Sequence, residues 1–132
     1  MSDEERFLST FIDKSKRARL AELLANPKRR REVTSALAHF RDLDPRWLIT
    51  LPSDQQSPAS IERLLRAKGA PESCYIISES SELDGKHLPL RSALDNIVGG
   101  GMGTLLSCIP DRLGFFEGEG PSDRFILERR AT

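Results

Sequence analysis

Residues 88–129, LPLRSALDNIVGGGMGTLLSCIPDRLGFFEGEGPSDRFILER, decide how this chain folds. Leu90, Leu94, Ile97 and Val98 recur at helical spacing, Gly99-Gly100-Gly101-Met102-Gly103 stops that helix, and residues 104–109 read as a buried strand. Pro110-Asp111-Arg112 supplies turn chemistry into Leu113-Gly114-Phe115-Phe116-Glu117. Gly120-Pro121-Ser122-Asp123 supplies it again into a last strand over residues 124–129. The expectation is a three-stranded antiparallel meander. In its last strand Phe125 and Leu127 alternate with Arg124 and Glu128, while Ile126 breaks the alternation, which predicts partial cover on the second face.

Upstream of this unit the chain reads as helices first. Phe7, Leu8, Phe11 and Ile12 share one helical face and are expected to dock. Leu20, Leu23 and Leu24 form a second stripe. Asn26-Pro27 then offers an N-cap and a first-turn proline to a third helix with Val33, Leu37 and Phe40 on its face. Residues 47–51, closed by Pro52, read as a short edge strand or an extended segment. Ser57-Pro58 repeats the cap-and-proline start for a helix carrying Ile61, Leu64 and Leu65, and residues 74–79 read as another strand, followed by a loop over residues 80–87. Its pairing with the strand at 104–109, parallel or at a distance, is open to the sequence. The chain is therefore expected to form a single α+β domain of 132 residues, with N-terminal helices over residues 1–44 packed on a sheet-bearing region over residues 45–132. The mainly antiparallel sheet has about four strands and ends in the meander.

A chain of this length buries about two-thirds of its unfolded surface, enough for a core without staples. Lys plus Arg and Asp plus Glu balance at 20 each, so no global field draws the molecule to nucleic acid or membrane. The balance conceals an asymmetry. Residues 1–70 hold 14 basic and 10 acidic side chains, residues 71–132 hold 6 and 10. Only Cys74 and Cys108 are present, without metal or redox spacing, and no stretch reads as a signal peptide or membrane span. The expectation is a cytoplasmic protein with reduced thiols, no metal and no cofactor.

The strongest departure from average is a basic cluster, Lys14, Lys16, Arg17 and Arg19 followed by Lys28, Arg29, Arg30 and Arg31, with only Glu22 opposing it. Phosphates favour such a patch because binding releases counterions. Helical-wheel positions divide it, however, placing Lys16 and Arg29 toward the buried side and Lys28 and Arg31 toward solvent. A second candidate is an acidic rim of Glu79, Glu82 and Asp84 with Glu117, Glu119 and Asp123, formed if the strands end at one edge. The glycines at 99–103 follow a helix and precede a strand, the reverse of a phosphate-cradling loop, and read as a helix cap. Cys108, His87 and Asp84 are the only set that mimics nucleophile, base and orienting acid, and a cysteine inside an apolar strand is ordinarily inert.

With no complete catalytic or metal motif, the sequence points first to a non-enzymatic interaction module that meets a protein partner, or a second copy, through segregated charge. A nucleic-acid-binding accessory protein using residues 14–31 is the alternative. A small enzyme with a cleft beside the Gly99–Gly103 hinge ranks third, and no small-molecule ligand can be named from the residues.

Overall fold

Local sequence signals account for most of the element boundaries in the computed structural model, which describes residues 2–130. Helix α1 (Asp3–Phe11) opens with a capping box in which Ser2 accepts from the Glu5 amide and Glu5 reaches back to Ser2. Helices α2 (Arg17–Ala25) and α3 (Arg30–Thr34) follow, then strand β1 (Leu48–Thr50) and helix α4 (Pro58–Ala67), capped by Ser57 as its sequence predicts. The rest of the chain supplies β2 (Ser73–Ser78), β3 (His87–Pro89), α5 (Leu90–Ile97), β4 (Thr104–Ile109), β5 (Leu113–Glu117) and β6 (Arg124–Glu128). The fold is α+β.

The sheet has six strands rather than four, in the order β1-β6-β5-β4-β2-β3, and every neighbouring pair is antiparallel. The meander of β4, β5 and β6 is present. The segment read as an edge strand, β1, pairs with β6 at one border. At the other border β3 begins at His87, the residue on which the loop reading ended, and it decides how β2 meets β4. Because β3 turns back along β2 before α5 crosses over, β4 enters antiparallel to β2, with Ile76 opposite Leu106.

Both faces of the sheet are covered, which explains why the strands lack clean alternation. One row of register partners, Ile76, Leu106, Phe115 and Ile126, lies under α4 and α5 with Ile61, Leu65, Leu90 and Leu94. The row beside it, Ile77, Leu105, Phe116 and Phe125, lies under the N-terminal helices with Phe7, Leu8, Phe11, Ile12 and Leu37. A register slip of one residue would exchange the rows, so the two packed layers hold the register from both sides. Leu37 packs on the opposite face of the sheet from Leu65, and Leu64 is half-buried.

The third helix is shorter than its apolar spacing predicts. Asn26 and Pro27 form a turn, with the Asn26 side chain accepting from the Lys28 amide, and α3 begins at Arg30. It ends in Val33-Thr34-Ser35, where β-branched residues and a serine that bonds back to the Arg31 carbonyl weaken the helix, and Leu37–His39 continue as a 3₁₀ turn. That turn is seated against Gly103, where an added Cβ would overlap the Ala38 nitrogen and the Leu37 carbonyl carbon. Gly99 and Gly101, at φ of 82° and 74°, take the left-handed backbone that ends α5, as a helix cap requires.

Candidate functional site

The predicted basic residues do not form one surface. Arg30 is half-buried and fully engaged: Nε and Nη2 donate to Asp84 at 2.6 and 3.0 Å, and Nη1 donates to Glu4 at 2.9 Å and to the Leu24 carbonyl at 3.0 Å. The bonds to Asp84, and after them those to Glu4, raise its pKa against the opposing effect of burial. Tyr75 joins the network by donating to Glu4 at 2.6 Å, and burial first, then that carboxylate, pushes its phenol up to about 12. Arg29, expected on the buried side, instead pairs with Glu32 at the surface, and Arg31 donates to the Glu79 carbonyl. Lys14, Lys16, Arg19 and Lys28 are exposed without a side-chain partner among the described residues. Lys16 therefore does not snorkel along the core. Arg17 turns away from them, donating through Nε to the Ile12 carbonyl at 2.8 Å.

The acidic residues do converge on one end of the sheet, since Ser78, Thr104, Glu117 and Arg124 lie side by side across four strands. They are not a free rim. Glu117 is buried, accepting from Arg124 Nε at 2.8 Å and from the Gly99 amide at 3.1 Å. Glu79 accepts from the Gly103 amide, Asp84 holds Arg30 and the Ser78 amide, Glu119 pairs with His39, and Asp123 is half-buried with its carbonyl accepting from the Gly118 amide. Glu82 alone of the six is exposed with no partner among the described residues. A small cleft of about 200 Å³ does lie beside the glycine hinge, with Glu82, Asn96, Met102 and Thr104 in its wall.

Cys108 and His87 are separated by the sheet itself. Cys108 packs in the layer under α4 and α5, whereas His87 stacks at 5.0 Å on Tyr75 on the other side and contacts Asp3. Burial pushes the Cys74 thiol up to about 12 and raises Cys108 as well, so neither is poised as a thiolate. Among the described residues no group of three or more His, Cys, Asp or Glu stands together as metal ligands.

The opposite end of the sheet carries a constellation that linear spacing conceals. β1 pairs with β6 through Leu48 and Leu127, which sets the residues just before β1 beside those just after β6. The 3₁₀ turn Pro45–Trp47 is also tied to the end of α1, because the Asp44 amide donates to the Phe11 carbonyl at 2.7 Å and Ile12 bridges to Leu43. Arg17 at the start of α2, Arg46, Arg129 and Arg130 are thereby gathered around a cleft of about 500 Å³, with Trp47, Ser9 and Thr10 completing its wall. Among the described residues no carboxylate lines it. Asp44, at its back, receives Arg46 through Nε and Nη2, the latter at 2.7 Å, and this bonding lowers the Asp44 pKa. The Arg46 guanidinium lies 4.8 Å from the Trp47 ring centre, and Arg130 Nη2 donates to the Arg46 carbonyl at 2.8 Å. Arg129 makes no side-chain bond among the described residues.

Of these residues only Arg17 belonged to the sequence-predicted set. The Arg129-Arg130 pair was the one visible hint of the others, and nothing in spacing links it to Arg46 or Trp47. Compared with known proteins, the chain matches no family model, no curated protein and no solved structure. Among the described residues no helix is long and apolar enough to cross a membrane.

Proposed function

We propose that this chain is a non-catalytic binding module that recognises an acidic segment of a protein partner through the arginine cleft. The observation that carries the reading is the gathering of Arg17, Arg46 and the Arg129-Arg130 pair, from three distant stretches of the sequence, around one cleft that no carboxylate lines among the described residues. Like charges brought together repel, and among the described residues the side chain bonded to one of these guanidinium groups is that of Asp44, on Arg46. Guanidinium groups are planar forks suited to bidentate bonding with anionic oxygens. The inert setting of both cysteines and the separation of His87 from Cys108 support a binding role over catalysis. Self-association through the acidic end of a second copy is disfavoured, because four of its six carboxylates, those of Glu79, Asp84, Glu117 and Glu119, already have partners within the chain itself.

Nucleic acid would use the exposed Lys14, Lys16, Arg19 and Lys28 instead, so the two readings separate by residue and by salt. Trp47, the only tryptophan, lies in the cleft wall and reports occupancy by fluorescence. Titration with a glutamate-rich peptide is expected to change Trp47 emission, and Arg129→Glu/Arg130→Glu is expected to abolish the change. Replacing Lys14, Lys16, Arg19 and Lys28 by glutamine should leave it intact. Binding of a single-stranded RNA that falls steeply between about 50 and 200 mM salt and is lost in the lysine-region variant, with no peptide binding, would reverse the assignment.

A further inference from the structure

The charge in the arginine cleft exceeds what a carboxylate ligand needs, and three of its four guanidinium groups are already anchored. We infer that the cleft takes a phosphate monoester dianion, carried on a phosphorylated serine or threonine of the partner segment. This rests on the acidic-segment reading and narrows it to one chemical class.

Three observations point there. Four guanidinium groups line one cleft, with Asp44 bonded to one of them and Asp111 and Glu128 in the adjoining hollow, an excess in the cleft itself that one glutamate side chain leaves largely uncompensated. A phosphate monoester brings about −1.5 to −2 charges at neutral pH and three strong acceptor oxygens. Three of the four donors are also held before any ligand arrives. Arg17 is fixed through Nε, leaving both terminal nitrogens; Arg46 is fixed on Asp44 and Trp47, leaving Nη1; Arg130 is fixed through Nη2, leaving Nε and Nη1. Arg129 keeps its whole fork. Side chains already anchored lose less freedom on binding. Finally, the cleft's two hydroxyls are committed elsewhere, Ser9 to the Glu5 carbonyl at 2.8 Å and Thr10 to the Arg6 carbonyl at 3.0 Å. Recognition therefore falls to guanidinium groups approaching from α2, from the turn before β1 and from the end of β6. Such divergent donors match a tetrahedral oxyanion better than a planar carboxylate. The cleft volume of about 500 Å³ leaves room for the residue that bears the phosphate.

The test uses the full chain and one peptide made in three forms, with phosphoserine, glutamate or serine at its centre, together with inorganic phosphate, each titrated by Trp47 fluorescence. The phosphoserine form is expected to bind about ten- to hundredfold more tightly than the glutamate form, the range of one added charge-assisted hydrogen bond. Its advantage should shrink as pH falls from 7.5 to 5, because the second phosphate ionisation lies near pH 6. Asp44 behind the cleft, and Asp111 and Glu128 in the adjoining hollow, act on both peptides alike, so the difference between the peptides reports the phosphate. Arg129→Gln, which breaks no bond in the structure, should reduce phosphopeptide affinity by about tenfold or more, while Arg19→Gln should not. Equal affinity of the phosphoserine and glutamate forms would overturn the phosphate assignment and leave the acidic-segment reading standing. Absence of binding by both would overturn the two together. Undiminished phosphopeptide affinity in Arg129→Gln and in Arg130→Gln would remove the site from the cleft. Inorganic phosphate binding as tightly as the phosphopeptide would overturn the phosphorylated-segment assignment in favour of a free anion.

Discussion

Removing the Arg124 guanidinium should destabilise this fold more than most single surface changes, because it leaves a carboxylate with no access to water. Arg124 and Glu117 side chains are 8% and 1% exposed, and their oxygen–nitrogen distance is 2.8 Å. Each partner makes one further bond: Glu117 also accepts from the Gly99 amide, and Arg124 Nη1 donates to Gln56 at 3.2 Å. Breaking one partner of such a pair costs about 3–5 kcal/mol, since the surviving charge stays desolvated. A domain of ordinary stability holds about 5–15 kcal/mol, so Arg124→Met should be folded but marginal. Glu117→Gln keeps an acceptor for the Gly99 amide and removes the charge. The double variant Glu117→Gln/Arg124→Met should therefore be more stable than Arg124→Met alone, by about 2 kcal/mol or more. Urea denaturation followed by circular dichroism measures this, provided the slopes of the four proteins agree. An Arg124→Met protein within about 1 kcal/mol of the parent, or a double variant no better than that single one, would refute the reasoning.

Three other outcomes follow from packing and ionisation. Gly103→Ala should cost about 3 kcal/mol or more, because its Cβ would overlap the Ala38 and Leu37 backbone, whereas Gly101→Ala meets nothing within 4 Å and should cost about 1–2 kcal/mol of left-handed strain; equal melting of the two would show that the Leu37–Gly103 contact is loose. Tyr75, the only tyrosine, has a folded pKa of about 12 against about 10 when unfolded, so the folded state disfavours the phenolate and stability should fall as pH rises from 10 toward 12. Tyr75→Phe should lessen that fall, and tyrosinate absorbance rising with a midpoint near pH 10 in the native protein would contradict it. Cys74 and Cys108 should react with a thiol reagent only as fast as the protein opens, and rapid labelling of Cys108 at neutral pH would overturn its buried placement.

Local chemistry was enough to read the elements whose causes are local. The helix at Pro58 is announced by its serine cap and apolar face, the end of α5 by glycines with positive φ, and the meander by turn residues at hairpin spacing. Cover on the second face of the last strand was also visible, as the broken alternation at Ile126, though its extension to the whole sheet was not. Other features depended on which strand lies beside which. Three residues at the sheet border, His87–Pro89, carry little intrinsic strand preference, yet they fix the direction of β4 against β2. The contiguous cations at 14–31 were legible as a cluster, but tertiary structure disperses them, because Arg30 meets Glu4 and Asp84 while Arg17 turns toward the other end of the sheet. The arginine cleft was not legible as a site, beyond the hint of the Arg129-Arg130 pair, and its cause is register. Antiparallel pairing of the first strand with the last brings Arg46 beside Arg130 across more than eighty residues, a juxtaposition that periodicity along the chain does not encode.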